Sequence, residues 1–397
     1  MSAERAAPIA ALLACVLCLL ALSLQDDPLS PQSLANQYFA ATPRYTTALS
    51  ELNRVWPPLY PSTLWGLTAV GVPLGQVNAL LLLTTLSLLF FAGRRVAPGV
   101  DPAWGVALYA ACAFNAFNLH QLVSEALLIP LALGTLVLTC RCASTAGVRD
   151  HVLLSALLAA CCLTRYFALV WLVPVVGLAL LATRPRAHRV WRAAAVTVGA
   201  MLPLGAWMLH ARISTGYLTG MERFSPRIFS EKTTLLENLS FGGRTLFLDG
   251  FTPGANASHA SVGVDWSLDP IGIAVAAGAV ALALWCTRVA VAARAAGRAA
   301  STNDSAGVAW VLLPGLSLGY LAVLLTVWTL GNNDPLYGRF LFPCYVFFML
   351  AGMHLYAGVK RTAIVARRPF QLLYALMLAS QSIGTIGVVA QALGDAS

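Results

Sequence analysis

The sequence predicts an all-α polytopic membrane protein, and its composition and residue order both indicate this class. Hydrophobic residues make up 58% of the 397 positions and charged residues only 10%, and the mean hydropathy is +0.74. A soluble domain usually carries about 25% charged residues, so this chain is too apolar to be a soluble globule. The apolar residues are also grouped in runs separated by short charged segments, which is typical of repeated membrane spans.

Eleven charge-poor runs are candidates for membrane-spanning helices. A helix needs about 20 residues to cross about 30 Å of hydrocarbon, so the ends of the shorter runs are expected to shift outwards. The first run is expected to be an uncleaved anchor, with a cleaved signal peptide as the alternative. The predicted spans are 7–24, 76–92, 102–119, 124–140, 151–164, 166–183, 193–210, 270–287, 306–329, 340–357 and 370–391.

The whole chain, residues 1–397, is expected to form one membrane-embedded domain with two long exported loops. These loops are 25–61, after the first span, and 211–268, between the seventh and eighth spans. The segment 65–72 is apolar but too short to cross, and it predicts a helix lying in the membrane interface. Leucines on one face of the segment 233–240 predict a second juxtamembrane helix.

The charge distribution predicts a cytoplasmic N-terminus. In that orientation the inner loops hold sixteen of the 25 Lys and Arg residues but four of the 16 acids, a net charge of +12 inside and −3 outside. Basic residues favour the cytoplasmic side, so the formal charge of +9 follows from topology and predicts no nucleic-acid partner. The basic clusters 184–192 and 360–368 are interpreted as orientation signals, with anionic-lipid binding as the alternative.

Cysteine and histidine placement predicts no metal or disulfide framework. All nine cysteines fall within or at the edge of apolar spans, where they are expected to pack. The six histidines lack the spacing of zinc ligands. Neither a Gly-Lys-Ser/Thr phosphate loop nor a GxGxxG motif is found, so no soluble nucleotide-binding domain is predicted.

Acids and arginines are concentrated where the predicted spans meet the exported face. Adjacent carboxylates at a membrane surface can hold a general base close to a lipid headgroup. An arginine at the same level can bind phosphate oxygens with its planar fork. The residues concerned are Asp26, Asp27, Glu125, Arg165, Asp334 and Arg339.

Five short motifs occur in an order that matches a known family. An acid follows the first span, Pro57–Pro61 is Pro-Pro-Leu-Tyr-Pro, and Ser124–Glu125 opens the fourth span. Leu163–Tyr166 is Leu-Thr-Arg-Tyr, and Arg339–Pro343 is Arg-Phe-Leu-Phe-Pro. In order and placement these motifs resemble the GT-C glycosyltransferases that use polyprenyl-phosphate sugars. That family includes the dolichyl-phosphate-mannose protein mannosyltransferases and the bacterial aminoarabinose transferase.

The resemblance implies a GT-C-like membrane glycosyltransferase. Such an enzyme moves a sugar from an undecaprenyl- or dolichyl-phosphate donor to a lipid, glycan or protein acceptor, with inversion. The implied partners are the lipid-linked donor, the acceptor and membrane lipids, and the family needs no metal or separate cofactor. The arginine-rich, lysine-poor and alanine-rich composition suggests a GC-rich bacterial genome. The expected location is therefore the bacterial inner membrane, with the active site on the exported face and the endoplasmic reticulum as the alternative.

The resemblance also implies roles for individual residues. Asp26 or Asp27 would be the base, and Arg165 and Arg339 would bind the donor phosphate. Relatives often have a tyrosine soon after the acid, whereas here Tyr38 comes much later, so which aspartate is the base stays open. The residues implied in substrate binding, or in supporting the arginines, are Glu125, Tyr166, Tyr337, Asp334, Pro57, Pro58 and Tyr60.

Each of these residues also has a structural interpretation. The two aspartates can cap the loop and hold the first span in register. The arginines can extend to the membrane surface by snorkelling. Glu125 can interact favourably with the positive end of the dipole of the fourth helix. A different functional class is a secondary transporter or lipid flippase, and a non-catalytic scaffold is a third. Transporters keep ionisable groups near the midplane, whereas these spans lack central charges, which favours the transferase.

Overall fold

The structure is a computed structural model that describes residues 3–24, 57–112, 122–144, 147–181, 186–219, 305–330, 338–362 and 364–395. Within these ranges the chain forms helices and no strand, which confirms the predicted all-α class. The helices are α1 (Ala3–Leu24), α2 (Leu59–Ala69), α3 (Leu74–Val96), α4 (Ala103–Ala111), α5 (Glu125–Ser144), α6 (Val148–Thr164), α7 (Leu172–Leu181), α8 (Arg186–Thr215), α9 (Ser305–Leu330), α10 (Gly338–Thr362) and α11 (Ile364–Asp395), with a 3₁₀ helix at Tyr166–Trp171.

Several described helices have the length and composition of membrane spans. Those that are long and apolar enough to cross are Leu74–Val96, Glu125–Cys142, Val190–Thr215 and Leu341–Gly358. Shorter apolar helices are Ala6–Leu20, Tyr166–Leu180 and Val311–Thr326. These seven stretches coincide with seven of the predicted spans, so the chain is a multi-pass integral membrane protein. The predicted span 270–287 lies outside the described residues.

Two predicted boundaries differ from the structure. The predicted span 102–119 begins as α4, but this helix ends at Ala111 because Cys112 takes an extended backbone conformation. The segment 113–121 lies outside the described residues. In contrast, α11 extends beyond the predicted 370–391 at both ends and includes Arg368 in its second turn.

The predicted interface helix after Pro57 and Pro58 is present as α2, but it begins six residues earlier than predicted. Pro58 precedes it and Pro61 lies in its first turn, where a missing N–H costs nothing because no intrahelical partner exists there. The buried side chains of Tyr60 and Leu64 pack against the beginnings of α3 and α5, while Trp65 is 39% exposed. The segment therefore packs on the bundle instead of crossing it.

The directions of the helices define two ends of the bundle. At one end Arg95, near the end of α3, interacts electrostatically with Cys140, near the end of α5. We call the end that carries Arg94, Arg95 and Arg141 the basic end. At the other end, α2 packs against the beginnings of α3 and α5. We call this the acid–arginine end, because Glu125 and Arg165 lie there.

Aromatic side chains fill the core between the 3₁₀ helix, α9 and α10. Trp171 is fully buried, its ring centroid lies 5.4 Å from that of Tyr320 and 5.5 Å from that of Phe347, and the second pair is T-shaped. Its indole Nε1 donates a hydrogen bond to the Leu316 carbonyl at 3.1 Å. Burial of an indole with its N–H satisfied stabilises this crossing without leaving an orphaned donor.

The close contact between α9 and α7 depends on Gly315. A Cβ built on Gly315 would lie 2.6 Å from Pro174 Cβ, whereas one on Gly319 would meet only Val170 Cγ2 at 3.5 Å, an ordinary contact. Because the proline ring cannot swing away, Gly315→Ala is expected to lower the free energy of unfolding by about 1–3 kcal/mol. Gly319→Ala is the matched control and should cost less than half as much. Thermal melting of both variants in detergent micelles measures this difference, and equal melting temperatures would contradict it.

Candidate active site

Helices α5 and α6 form an antiparallel hairpin with an ion pair at each end. At the basic end Arg141 Nε lies 3.0 Å from Asp150 Oδ2, and the Arg141 side chain is 53% exposed. At the other end Arg165 Nη2 donates to Glu125 Oε1. Arg141 lies sixteen residues after Glu125 on the same helix, a rise of about 24 Å, so the two pairs lie near opposite faces of the membrane.

The two ion pairs differ in their exposure to solvent. The side chains of Glu125 and Arg165 are 1% and 6% exposed, so water does not reach the pair as it reaches Arg141. Removing a carboxylate and a guanidinium from water is expensive unless they neutralise each other, and buried ionisable groups in membrane proteins commonly mark functional sites. Arg165 lies inside the protein and not along its lipid-facing surface, so its burial does not fit the snorkelling interpretation.

The local backbone explains how Arg165 reaches Glu125. Helix α6 ends at Thr164, and Arg165 adopts an extended conformation between α6 and the 3₁₀ helix. Glu125 is the first residue of α5, where its negative charge also interacts favourably with the positive end of the helix dipole. Ser124 Oγ lies 3.4 Å from Glu125 Oε2 as a long hydrogen-bond donor. Helix α5 thus begins, and helix α6 ends, where the two charged side chains meet.

A buried tyrosine from α2 lies beside the pair. Tyr60 Oη donates to Asn78 Oδ1 at 3.2 Å, and both residues are buried. Burial raises the pKa of the Tyr60 phenol above its ordinary value, and the Glu125 carboxylate contributes to the same direction. The phenol therefore stays protonated and remains a hydrogen-bond donor.

Tyr320 approaches the same group from α9. It is 1% exposed and interacts electrostatically with both Arg165 and Glu125. The site thus combines one ion pair with polar side chains from α2, α3 and α9. Four separate helices and the loop after α6 meet at this point.

A further polar contact lies next to Arg165 on its C-terminal side. The Trp207 Nε1 of α8 donates to Tyr166 Oη at 2.9 Å, and both side chains are partly exposed. His210 lies one turn further along α8, with its ring centroid 5.7 Å from that of Trp207. These rings form an aromatic rim beside the buried pair.

Helices α1 and α10 bring two other predicted segments to the same end. Ala7 and Ala11 pack with Ala103 and Ala107, and Ala14 packs with Ala110, so α1 runs parallel to α4 from the basic end. Helix α1 therefore ends at Leu24 on the acid–arginine end, shortly before Asp26 and Asp27.

The direction of α10 follows from one contact near each of its ends. His354 Nδ1 bonds the Val96 carbonyl at the basic end, and the ring of Phe342, near the beginning of α10, stacks on Tyr109 of α4 at 5.4 Å. Arg339, the second residue of α10, therefore starts the helix at the acid–arginine end.

The structure brings some of the predicted residues together and does not describe others. Glu125, Arg165 and Tyr60 form one buried group, Tyr166 borders it, and Pro58 and Pro57 precede the helix that carries Tyr60. The remaining predicted site residues stay predictions. Asp26, Asp27, Asp334, Tyr337 and the side chain of Arg339 lie outside the described part of the chain.

The structure also adds residues that sequence reasoning missed. Asn78 is an isolated amide in an apolar run, and Tyr320 and Trp207 belong to runs that are interpreted as spans. Buried asparagine, tyrosine and tryptophan side chains all need hydrogen-bond partners, so these residue types signal polar contacts, but the sequence does not identify the partners. Among the residues that the structure describes, no group of three or more His, Cys, Asp and Glu side chains is placed to hold a metal ion.

Comparisons with known proteins include a weak structural similarity. No protein-family model matches the sequence, and no curated protein matches it. The chain is similar to the crystal structure of ArnT from Cupriavidus metallidurans bound to undecaprenyl phosphate, with 15% sequence identity and a TM-score of 0.41. The similarity covers 91% of this chain and 79% of that one. A similarity of this extent assigns neither a family nor an activity to this chain.

Proposed function

We propose that this protein is a membrane glycosyltransferase that moves a sugar from a polyprenyl-phosphate donor to a lipid, glycan or protein acceptor. In the reaction an acceptor hydroxyl or amine attacks the anomeric carbon, and the bond from that carbon to the phosphate oxygen breaks. The acceptor proton passes to a carboxylate, and the bonding electron pair leaves with the phosphate. A single displacement of this kind inverts the anomeric configuration.

The observation that carries the proposal is the buried Glu125–Arg165 pair at the end of the bundle opposite Arg94, Arg95 and Arg141. Negative charge grows on the phosphate as the glycosidic bond breaks, and a fixed cation stabilises it. A guanidinium has five N–H donors in a planar fork, so it can bind a carboxylate along one edge and a phosphate along another. Glu125 would hold the fork in one orientation, and the hydrogen-bonded Tyr60 and Asn78 side chains would support the pair from α2 and α3.

The motifs in the first loop and at the beginning of α10 complete the proposal. Asp26 or Asp27 supplies the base, because both follow Leu24 closely in sequence and α1 ends there, at the same end of the bundle as Arg165. Arg339 supplies a second cation for the phosphate, and Tyr166 with Trp207 borders the acceptor side. The donor already carries an activated sugar, so the reaction needs no further cofactor.

The position of the pair also separates this proposal from a transporter or flippase. A transporter is expected to hold its ionisable groups near the bilayer midplane, in broken helices. Glu125 is instead the first residue of a long span, and Arg165 follows the end of another, so both lie near a membrane surface. This placement favours chemistry at one face over a pathway through the bundle.

The orientation of the site can be tested by cysteine labelling. We expect single cysteines at Ser50 and Ser258, in a chain without native cysteines, to react with an impermeant thiol reagent added outside intact cells. A cysteine at Ser301 should react only after the cells are opened, because the loop there is predicted to be cytoplasmic. Labelling at Ser301 in intact cells would show that the orientation is the opposite one, with the Glu125–Arg165 pair at the cytoplasmic end of the bundle.

The proposed activity can be tested through the lipids of a deletion strain of the source organism. We expect one glycan or glycolipid of the envelope to lose a single sugar, and the corresponding polyprenyl-phosphate sugar to accumulate. Expression of the wild-type protein should restore both, while a variant with Asp26 and Asp27 changed to Asn should restore neither at equal abundance. A lipid and glycan profile identical to that of the parent strain would contradict the proposal.

A further inference from the structure

An apolar groove lies at the basic end of the bundle, away from the Glu125–Arg165 pair. It has a volume of about 560 Å³ and lies between α1, α4, α10 and α11. That volume falls in the range of about 300–1,000 Å³ found for small-molecule sites. All four helices line the groove, through Ala6 of α1, Trp104 of α4, Met353 of α10 and Leu378 of α11.

The groove has a defined position along the membrane normal. Ala6 lies near the beginning of α1, and Trp104 near the beginning of α4. A Cβ built on Gly93 would lie 3.5 Å from Met353 Cε, so the floor of the groove is level with the end of α3, next to Arg94. The groove therefore occupies the half of the bundle that is predicted to face the cytoplasmic leaflet.

Polar groups are found at the end of the groove that is nearest the membrane surface. Gln371 Nε2 donates to Tyr356 Oη at 2.8 Å, and Tyr374 Oη donates to the Trp104 carbonyl at 2.6 Å. The Trp104 and Tyr374 rings pack edge to face, with centroids 5.9 Å apart. Tyrosine and tryptophan with this arrangement of apolar ring and polar tip are typical of the membrane–water interface.

A cation extends the groove towards the surface. Gln371, Ala375 and Ser382 line the groove along α11. Arg368 lies three residues before Gln371 and seven before Ala375, which places it on the same face of the helix, one turn closer to the surface. Helical side chains tilt towards the N-terminus of their helix, so the exposed Arg368 extends away from the apolar part.

The other charged groups at this end are mostly basic. Arg94 and Arg95 are exposed at the end of α3. The acid closest in sequence to the groove is Asp101, whose Oδ1 accepts the Ala103 N–H at 2.9 Å at the beginning of α4. The groove is thus apolar inside, carries aromatic residues next to the apolar part and has a cation at the end nearest the membrane surface. We infer that it binds one acyl chain of an anionic phospholipid, with the phosphate against Arg368.

The inference can be tested with lipids that share their acyl chains and differ in headgroup charge. The purified full-length protein is reconstituted with equal amounts of phosphatidylglycerol and phosphatidylcholine, and the lipids it retains are counted by native mass spectrometry. We expect phosphatidylglycerol to be retained about fivefold more, which corresponds to about 1 kcal/mol for one cation near a lipid surface. Equal retention of the two lipids, or retention of neither, would overturn the inference.

Two variants with matched controls locate the lipid. Arg368→Gln should remove the preference for phosphatidylglycerol, while Arg149→Gln, at an exposed arginine at the beginning of α6, should keep it. Ala375→Trp should fill the groove and abolish retention, while Leu376→Trp, at an exposed position of α11 that does not line the groove, should not. If Arg368→Gln keeps the preference for phosphatidylglycerol over phosphatidylcholine, the inference is overturned, even if Ala375→Trp fails to fold.

Discussion

Replacing Arg165 with methionine is expected to lower the free energy of unfolding by about 3–5 kcal/mol. The substitution keeps much of the side-chain volume but leaves Glu125, which is 1% exposed, as a carboxylate without its cation. A buried carboxylate then either stays charged at high cost or takes up a proton, and both outcomes destabilise the folded state. Denaturation with sodium dodecyl sulfate in mixed micelles, followed by tryptophan fluorescence, measures the loss.

The second ion pair of the same hairpin provides the control. Arg141 pairs with Asp150, whose side chain is 7% exposed, but the Arg141 side chain is 53% exposed, so water can enter the space it leaves and hydrate the carboxylate. Arg141→Met is therefore expected to cost clearly less than Arg165→Met. If the two methionine variants unfold at the same denaturant concentration, the burial of the Glu125–Arg165 pair does not have the energetic effect inferred for it.

A double variant separates stability from function. Changing both Glu125 and Arg165 to methionine removes both buried charges, so the protein is expected to be more stable than Arg165→Met alone. The same double variant lacks the proposed phosphate-binding cation. We expect its transfer rate to be about 10²–10³-fold lower than that of the wild type, the usual effect of removing one hydrogen-bond donor to the charge that develops in the transition state. A stable double variant with full transfer activity would assign the pair to structure only.

The sequence predicts the spans well because membrane insertion depends on local composition. The apolar runs that become α3 and α10 are bounded by arginines or prolines, and their described ends lie within five residues of the predicted ones. The beginning of α2 is less predictable. Pro58 and Pro61 suggest a loop, yet a proline in the first turn of a helix removes no hydrogen bond.

The candidate site is only partly predictable, because its contacts are long-range. Glu125 and Arg165 are both singled out by their position at span ends, but forty residues separate them and the sequence does not reveal that they pair. Their burial depends on α2, α3 and α9 packing around them. Asn78 and Tyr320 were missed for the same reason, since each is an isolated residue in an apolar run and only tertiary packing brings it to the pair.

The aspartates after α1 are the second group for which a large effect is expected. We predict that Asp26→Asn or Asp27→Asn lowers the turnover of the lipid-linked donor by at least about 10²-fold, the usual contribution of a general base. Asparagine has nearly the same shape as aspartate but cannot accept the acceptor's proton at neutral pH. The residue whose change has the larger effect is the base, and its neighbour orients it.

Adjacent carboxylates can replace each other in part, so the double variant decides the prediction. With Asp26 and Asp27 both changed to Asn, no carboxylate remains in the first residues after α1, and turnover should fall below that of either single variant. Glu51→Gln makes the same carboxylate-to-amide change elsewhere in the predicted first exported loop and should retain wild-type turnover. Release of polyprenyl phosphate is measured in vesicles at equal protein abundance. Full activity in the double variant removes both aspartates from the mechanism, because proton transfer then does not depend on them.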